Sequence, residues 1–326
     1  MTEKIEIREA NIEDAPMIVD VMNDVFKEQQ YFGLDRDINY WSWKHEQNVF
    51  GKSILIVAEK DSKIVGLRAF WSWRLKCRGQ LLKAFQPVDT FVHPEYQGRG
   101  LFRKMNIMAV QKAIDNNADL IFNFPNKNSL PGNLSLGWNY VSKLNWIVKL
   151  ISPVKVLRSL NNKDKAESAK IPEDMAITES VCNSIDVDTV FNGTFRTDYT
   201  KEYFKWRYAR HPFFKYGIIS TPDGANLVFT IIQKGSLNQI VVVDYIGSRK
   251  SIPELFRRLL ESNRRLNGDI FISILNSEMN LDHLWRYGYI KMKKKNFTVL
   301  PLNLALETKA VNLSEWGLVG GMHDSL

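Results

Sequence analysis

Apolar residues change their spacing several times along the first 150 positions, and each change predicts an element. Ile5 and Ile7 alternate with charged neighbours, which predicts a first strand. Asn11 and Asp14 have the spacing of a reciprocal helix cap, and Ile18, Val21, Met22 and Val25 then fall on one helical face. A second helical stretch surrounds Tyr40, Trp41 and Trp43. Residues 53–59 and 63–73 read as strands joined by a turn at Lys60, Asp61 and Ser62, and Arg78-Gly79 turns the chain into a further strand over 81–92. His93-Pro94 ends that strand, because proline has no donor for a ladder. A glycine-containing loop leads to a helix over 101–116, a short strand over 120–124, a helical stretch over 126–136 and a strand from Trp138 onward. Residues 152–172 hold Asn161-Asn162-Lys163-Asp164-Lys165 and little periodicity outside 154–160, which predicts an exposed connection.

The second half repeats the first in outline. Tyr40, Trp43 and Lys44 correspond to Tyr203, Trp206 and Arg207; Val88-Asp89 corresponds to Val243-Asp244. Leu101-Phe102-Arg103-Lys104 matches Leu255-Phe256-Arg257-Arg258, Asn126 matches Asn276, and Gly137-Trp138 matches Gly288-Tyr289. The order is kept while the offset falls from 163 to about 150 residues, as shortened loops would produce. Two copies are too few for a solenoid, so each is expected to be a complete domain: 1–151 and 173–326, with 152–172 as the linker.

Composition narrows the classes. With 44% hydrophobic and 12% aromatic residues in 326, the chain is globular and able to bury a sizeable core. Cys77 and Cys182 make no disulfide framework, and the five histidines show no metal-ligand spacing, so no metal is expected. The net charge of +8 is spread without a basic arm or tail, which argues against a nucleic-acid partner and is compatible with an anionic ligand. The longest apolar runs, 54–58 and 240–243, are strand-sized, and Met1-Thr2-Glu3-Lys4 runs into alternating charge. Neither a membrane span nor a signal peptide is expected, and a cytoplasmic location is.

The candidate chemistry lies in Val92-His93-Pro94-Glu95-Tyr96-Gln97-Gly98-Arg99-Gly100-Leu101-Phe102, between a strand and a helix. Its glycines allow close backbone approach and positive φ, and the helix start aims free N–H groups at the same point, which makes an anion cradle. A dinucleotide fingerprint would need a glycine where Arg103 stands. Gly51-Lys52-Ser53 lacks the first glycine of a phosphate loop, having Glu46 there, and leads into a strand. Between Asp244 and Leu255 the second half has Gly247 alone and no cradle.

The segment resembles the acetyl-CoA loop of the GNAT (GCN5-related N-acetyltransferase) superfamily, Gln/Arg-x-x-Gly-x-Gly/Ala, with Phe102 where a small residue is usual. A second pattern of that family matches Asn126, Ser129, Gly137 and Trp138, with Asn133 in place of the usual tyrosine. The resemblance implies an α/β (α+β) fold of two tandem GNAT-like domains, each a mixed, mostly antiparallel sheet flanked by helices. It implies acetyl-CoA as cosubstrate, held by main-chain groups of Phe91 and Val92, by Gln97, Gly98, Arg99, Gly100, Leu101 and Phe102, and by Asn126 and Ser129. It also implies N-acetylation of a small-molecule primary amine, with an amino sugar or nucleotide-linked amino sugar of surface-polysaccharide biosynthesis foremost. The alternatives are a peptide or protein amine, and a non-catalytic CoA-binding regulatory protein. Asp89 is the candidate proton acceptor, and Asn133 the candidate amide donor to the departing sulfur. Each has a plainer reading: Asn126 and Ser129 as a helix cap, Asp89 as a structural carboxylate like Asp244, Trp41, Trp43, Trp71 and Trp73 as an interface. Tyr140 is the alternative acid.

Overall fold

The first half runs β1 (Glu6–Glu9), α1 (Ala15–Phe26), α2 (Ile38–His45), β2 (Ile54–Lys60), β3 (Lys63–Cys77), β4 (Gln80–Val92), α3 (Leu101–Asp115), β5 (Leu120–Asn123), α4 (Leu130–Leu134) and β6 (Asn139–Leu150). These elements come from a computed structural model that describes residues 4–27, 36–159, 166–187, 195–275 and 281–323. The chain continues through α5 (Pro153–Ser159), β7 (Ala166–Ser168), α6 (Glu179–Ser184), β8 (Arg196–Thr197), α7 (Lys201–Phe204), β9 (Tyr216–Ser220), β10 (Asn226–Lys234) and β11 (Leu237–Ile246). It ends with α8 (Ile252–Glu261), α9 (Asn263–Leu266), β12 (Ile270–Leu275), α10 (Leu281–Arg286), β13 (Ile290–Pro301), α11 (Glu307–Ala310) and a C-terminal segment with short turns.

Local sequence explains many of these elements. Asn11 accepts from the Asp14 N–H at 3.1 Å and Asp14 accepts from the Asn11 N–H at 2.7 Å, a reciprocal cap just before α1. Asp61-Ser62 and Arg78-Gly79 all take positive φ, the conformation that two-residue hairpin loops require. On α3, Leu101, Met105, Ala109 and Ala113 form one buried stripe, and its alanines let the helix lie close to the sheet. Helix α4 is shorter than the predicted 126–136, because residues 126–129 form a turn around the Asn126 side chain instead.

The sheet joins the halves by exchanging strands. Its order is β1-β2-β3-β4-β5-β13-β6-β12-β11-β10-β7, with β8 on β3 and β9 on β10. Strand β13 pairs with β5 and with β6, and β6 in turn pairs with β12 over Asn145 to Leu150. The last strand of each half therefore lies between two strands of the other, so the halves do not carry separate sheets as their sequences suggest. The stretch 152–172, expected as an exposed connection, contains α5 and the short β7, which pairs with β10. Residues 160–165 of that stretch, and Asn276 of the repeat, lie outside the described residues.

The repeat is visible where the halves touch. Trp43 and Trp206 stack at 5.2 Å, and each indole donates to the other's main-chain carbonyl, at 2.8 and 2.9 Å. Trp71 packs on Trp206 at 5.7 Å, and Trp73 donates to Thr197 at 3.2 Å. Trp43, Trp71 and Trp73 are thus buried at the junction, and Trp41 is buried against His45. Among the described residues no helix is long and apolar enough to cross a membrane.

Candidate active site

Strand β4 opens a cleft at its C-terminal end. Its parallel ladder to β5 covers only Ala84 and Phe85, and beyond them the two strands separate. On its other edge β4 bulges: Phe91 pairs with Leu67 and Val88 with Ala69, leaving Asp89 and Thr90 opposite Arg68 alone. Asp89 occupies the bulge with φ of 45°, a left-handed conformation that aspartate tolerates better than most residues. Gln86, buried one position past the last β5 pair, has a side-chain oxygen without a partner among the described residues.

The loop after β4 leads straight onto α3. Gly98 and Gly100 have φ of 75° and 71°, and a Cβ built on either would meet nothing within 4 Å. Positive φ, rather than crowding within the protein, is what calls for glycine there. Gly100 is the N-cap of α3 and no side chain caps the helix, so the first-turn N–H groups are available to an anion. Gln97 donates to the Val92 carbonyl at 3.1 Å, and the Arg99 guanidinium lies 5.2 Å from the Tyr96 ring; both brace the loop. Phe102, half-buried, stands 4.9 Å from the Arg68 guanidinium, and a Cβ on Gly132 would come within 2.8 Å of its ring. The small residue that lets α3 and α4 approach stands on α4, which accommodates the phenylalanine.

Asp89 does not have the surroundings of a proton acceptor. Its carboxylate is 2.6 Å from Lys44 Nζ, 3.2 Å from His45 Nε2 and 3.7 Å from Arg36. Lys44 and His45 are themselves buried on α2. Burial alone would raise the carboxyl, but Lys44, His45 and Arg36 together outweigh it and hold it well below the usual carboxylate range. Burial holds the neighbouring imidazole below its ordinary value against the pull of Asp89. The carboxylate pairs with Lys44 and so ties the β4 bulge to α2.

The cleft's other wall is the turn into α4. The Asn126 side-chain oxygen accepts from the N–H groups of Asn128 and Ser129, both at 2.9 Å, and from the Ser129 hydroxyl at 3.2 Å. These two residues close the turn. Asn133 is fully buried; its oxygen accepts from Arg68 at 3.4 Å, and its Nδ2 has no partner among the described residues. Tyr140 lies on β6, nearly half exposed. Arg68, Lys44 and Gln86 are site residues that the sequence reading missed. A lone charge in the apolar run 64–71 is a signal for the first, and recurrence of the Lys44/Asp89 pair as Arg207/Asp244 is one for the second.

The corresponding region of the second half is built differently. Asp244 is buried and accepts from the Tyr199 and Tyr208 hydroxyls, and burial pushes its carboxyl up to about 7. Arg207 donates to the carbonyls of Gly321 and His323, at 3.3 and 3.4 Å. Gly320 packs on Val242 and Val243, so the C-terminal segment covers the end of β11. Ser251, the residue before α8, donates to Asp223 at 2.5 Å. A carboxylate of the chain thus stands where the first half leaves its helix start open. Among the described residues no cluster of three or more His, Cys, Asp or Glu could hold a metal ion.

The family model described as "Acetyltransferase (GNAT) domain" matches residues 6–141. A protein from Enterococcus faecalis titled a probable N-acyltransferase superposes with a TM-score of 0.63 at 10% identity, covering 93% of this chain and 74% of that one. A GCN5-related N-acetyltransferase from Anabaena variabilis gives 0.62 at 11% identity, covering 92% and 74%. The N-myristoyltransferase of Saccharomyces cerevisiae with bound myristoyl-CoA gives 0.57 at 10% identity, covering 92% and 79%. At these identities the likeness is one of fold, and it runs through both halves. No curated protein matches the sequence.

Proposed function

We propose that this chain, whose residues 6–141 match a GNAT acetyltransferase domain, is an N-acyltransferase with acetyl-CoA as the acyl donor and a primary amine of a small molecule as the acceptor. The observation that carries the reading is the uncapped start of α3 behind two positive-φ glycines, beside a strand that separates from its neighbour. The residues present fit the donor. The N–H groups of residues 98–102 meet its pyrophosphate, and the unpaired edge of β4 near Phe91 and Val92 meets the amides of its pantetheine arm. Asn126 and Ser129 shape the wall that faces the arm.

The donor supplies a thioester carbonyl. The amine nitrogen attacks the carbonyl carbon, the N–C bond forms and the C–S bond breaks with its electron pair on sulfur. Main-chain N–H groups on the open edge of β4 stabilise the oxygen as it gains charge. The oxygen of Gln86 is available to accept from the amine, whose proton leaves to water. Asn133 Nδ2 donates to the sulfur as an amide, without transferring a proton. Replacing Asn133 with Ala should then lower turnover modestly, while Tyr140→Phe should leave it nearly unchanged. A collapse of turnover in Tyr140→Phe with acetyl-CoA affinity preserved would make Tyr140 the acid.

One donor per chain is expected, because Ser251, Asp223 and the C-terminal segment close the corresponding place in the second half. Calorimetric titration with acetyl-CoA should give one site per chain; two equivalent sites would contradict this. Among acceptors we put amino sugars and nucleotide-linked amino sugars first, a choice supported by the family resemblance and, for an anionic substrate, by the net charge of +8. Turnover compared across amino sugars, their nucleotide-linked forms and peptide amines tests this. Preference for peptide amines would move the acceptor to the protein class. The same reading puts the enzyme in the cytoplasm with no nucleic-acid partner.

A further inference from the structure

Arg68 is a fully buried cation of the first half that the mechanism above does not use. It lies on β3, 1% exposed, beneath the start of α3. Its hydrogen-bond partners are Asn106 on α3 at 2.8 and 3.2 Å, Thr90 on β4 at 3.1 Å and Asn133 on α4 at 3.4 Å. The rings of Phe70 and Phe102 lie 5.2 and 4.9 Å from the guanidinium. None of these groups titrates, and none of its hydrogen bonds goes to a carboxylate. Asp89, next to Thr90 in sequence, is engaged by Lys44, His45 and Arg36 instead. Burial pulls the guanidinium down to about 9, so it still carries its charge at neutral pH.

A buried charge without a counter-ion is expensive, and proteins rarely keep one without a use. The placement suggests the use. One guanidinium nitrogen holds the β4 wall of the cleft through Thr90, and another holds the α4 wall through Asn133. A thioester between those walls lies beside the charge. Because Arg68 donates to Asn133 Oδ1, it also fixes the amide so that the unpartnered Nδ2 is left for the ligand.

We propose that Arg68 is a positioning residue whose buried charge, acting through Asn133, stabilises the CoA thiolate as it leaves, so that no proton donor is needed at the sulfur. The balance is simple. The C–S electron pair stays on sulfur as a thiolate, the amine proton goes to water, and the guanidinium supplies the compensating charge without giving up a proton. The proposal rests on the cofactor reading above and adds to it how the leaving group is handled.

The test reads the bound thiol directly and needs no acceptor. The affinities of CoA and of desulfo-CoA, which has hydrogen in place of the thiol, are measured from pH 6 to 8.5. The CoA thiol, a simple alkyl thiol, titrates above the ~8.5 of cysteine, and a bound thiol brought down toward neutrality raises the CoA to desulfo-CoA affinity ratio several-fold over that span. The parent protein should show at least this rise. Arg68→Met should abolish this rise, whatever change it makes to both affinities in common, and Arg68→Lys, which keeps a charge, should restore part of it. A purely structural arginine would weaken both ligands alike and leave the ratio unmoved. A flat ratio in the parent, which needs no variant to fold, or an equal rise in Arg68→Met overturns the proposal. Failure of the parent to bind either ligand overturns the cofactor reading, and this proposal with it.

Discussion

Asp89→Asn should cost up to about 3–5 kcal/mol of folding stability at pH 7, because it removes the buried carboxylate that Lys44 approaches at 2.6 Å. Asparagine keeps the shape of the side chain and tolerates the left-handed backbone of the bulge, so the change isolates the charge. Such a loss is a large fraction of the stability of a typical domain and would show as a lower denaturant midpoint with an unchanged slope. The sign of the pH dependence follows from the depressed carboxyl. Its contribution is present above the unfolded value, near pH ~4, and is lost as pH falls below it. The gap between parent and variant should therefore narrow in acid. The double variant Lys44→Met, Asp89→Asn should recover part of the loss, since it removes both members of the ion pair. If Asp89 were the base, the single variant would keep its stability and lose about 10²–10⁴-fold in turnover, and the second substitution would restore nothing.

Gly100→Val should abolish acetyl-CoA binding, here a fall of at least about 100-fold in affinity, or ~2.8 kcal/mol. At φ of 71° and ψ of 13° a β-branched residue is strained by about 1–3 kcal/mol, which a folded domain can survive. A Cβ there has no atom within 4 Å beyond its immediate backbone, so the side chain is not crowded at its base. The added methyl groups project into the space above the uncapped start of α3, where the pyrophosphate is expected. Gly100→Ala should fall between parent and valine variant. Circular dichroism separates loss of binding from loss of fold, and a valine variant that binds like the parent would misplace the cradle.

Short-range physics made much of this molecule readable in advance. The hairpin loops at Asp61-Ser62 and Arg78-Gly79, the cap at Asn11 and the glycine loop at 97–100 are each decided by neighbours within a few residues. The strand exchange is not. That β13 enters between β5 and β6 depends on pairings such as Val299 opposite Phe122, whose members are far apart in the chain and whose alternation would suit either arrangement. The two-half repeat survived this because it is a pattern of side chains, and Trp43 and Trp206 prove to be the pair that meets. The role of Asp89 also required the structure: Lys44 lies far from it in sequence, and only the bulge brings the two within 2.6 Å. Arg68 was visible as a lone charge in an apolar strand, but its neutral partners on α3, β4 and α4 were not.

The central claim is transfer of an acetyl group to an amine, and product formation tests it most directly. Acetyl-CoA is incubated with the protein and a panel of primary amines, and free thiol and acetylated amine are quantified together. The account predicts at least one amine for which both rise in equal amounts, with Gly100→Val reducing both to background. Tight acetyl-CoA binding with no acetylated product from any amine would contradict it and leave a CoA-binding regulatory protein in its place.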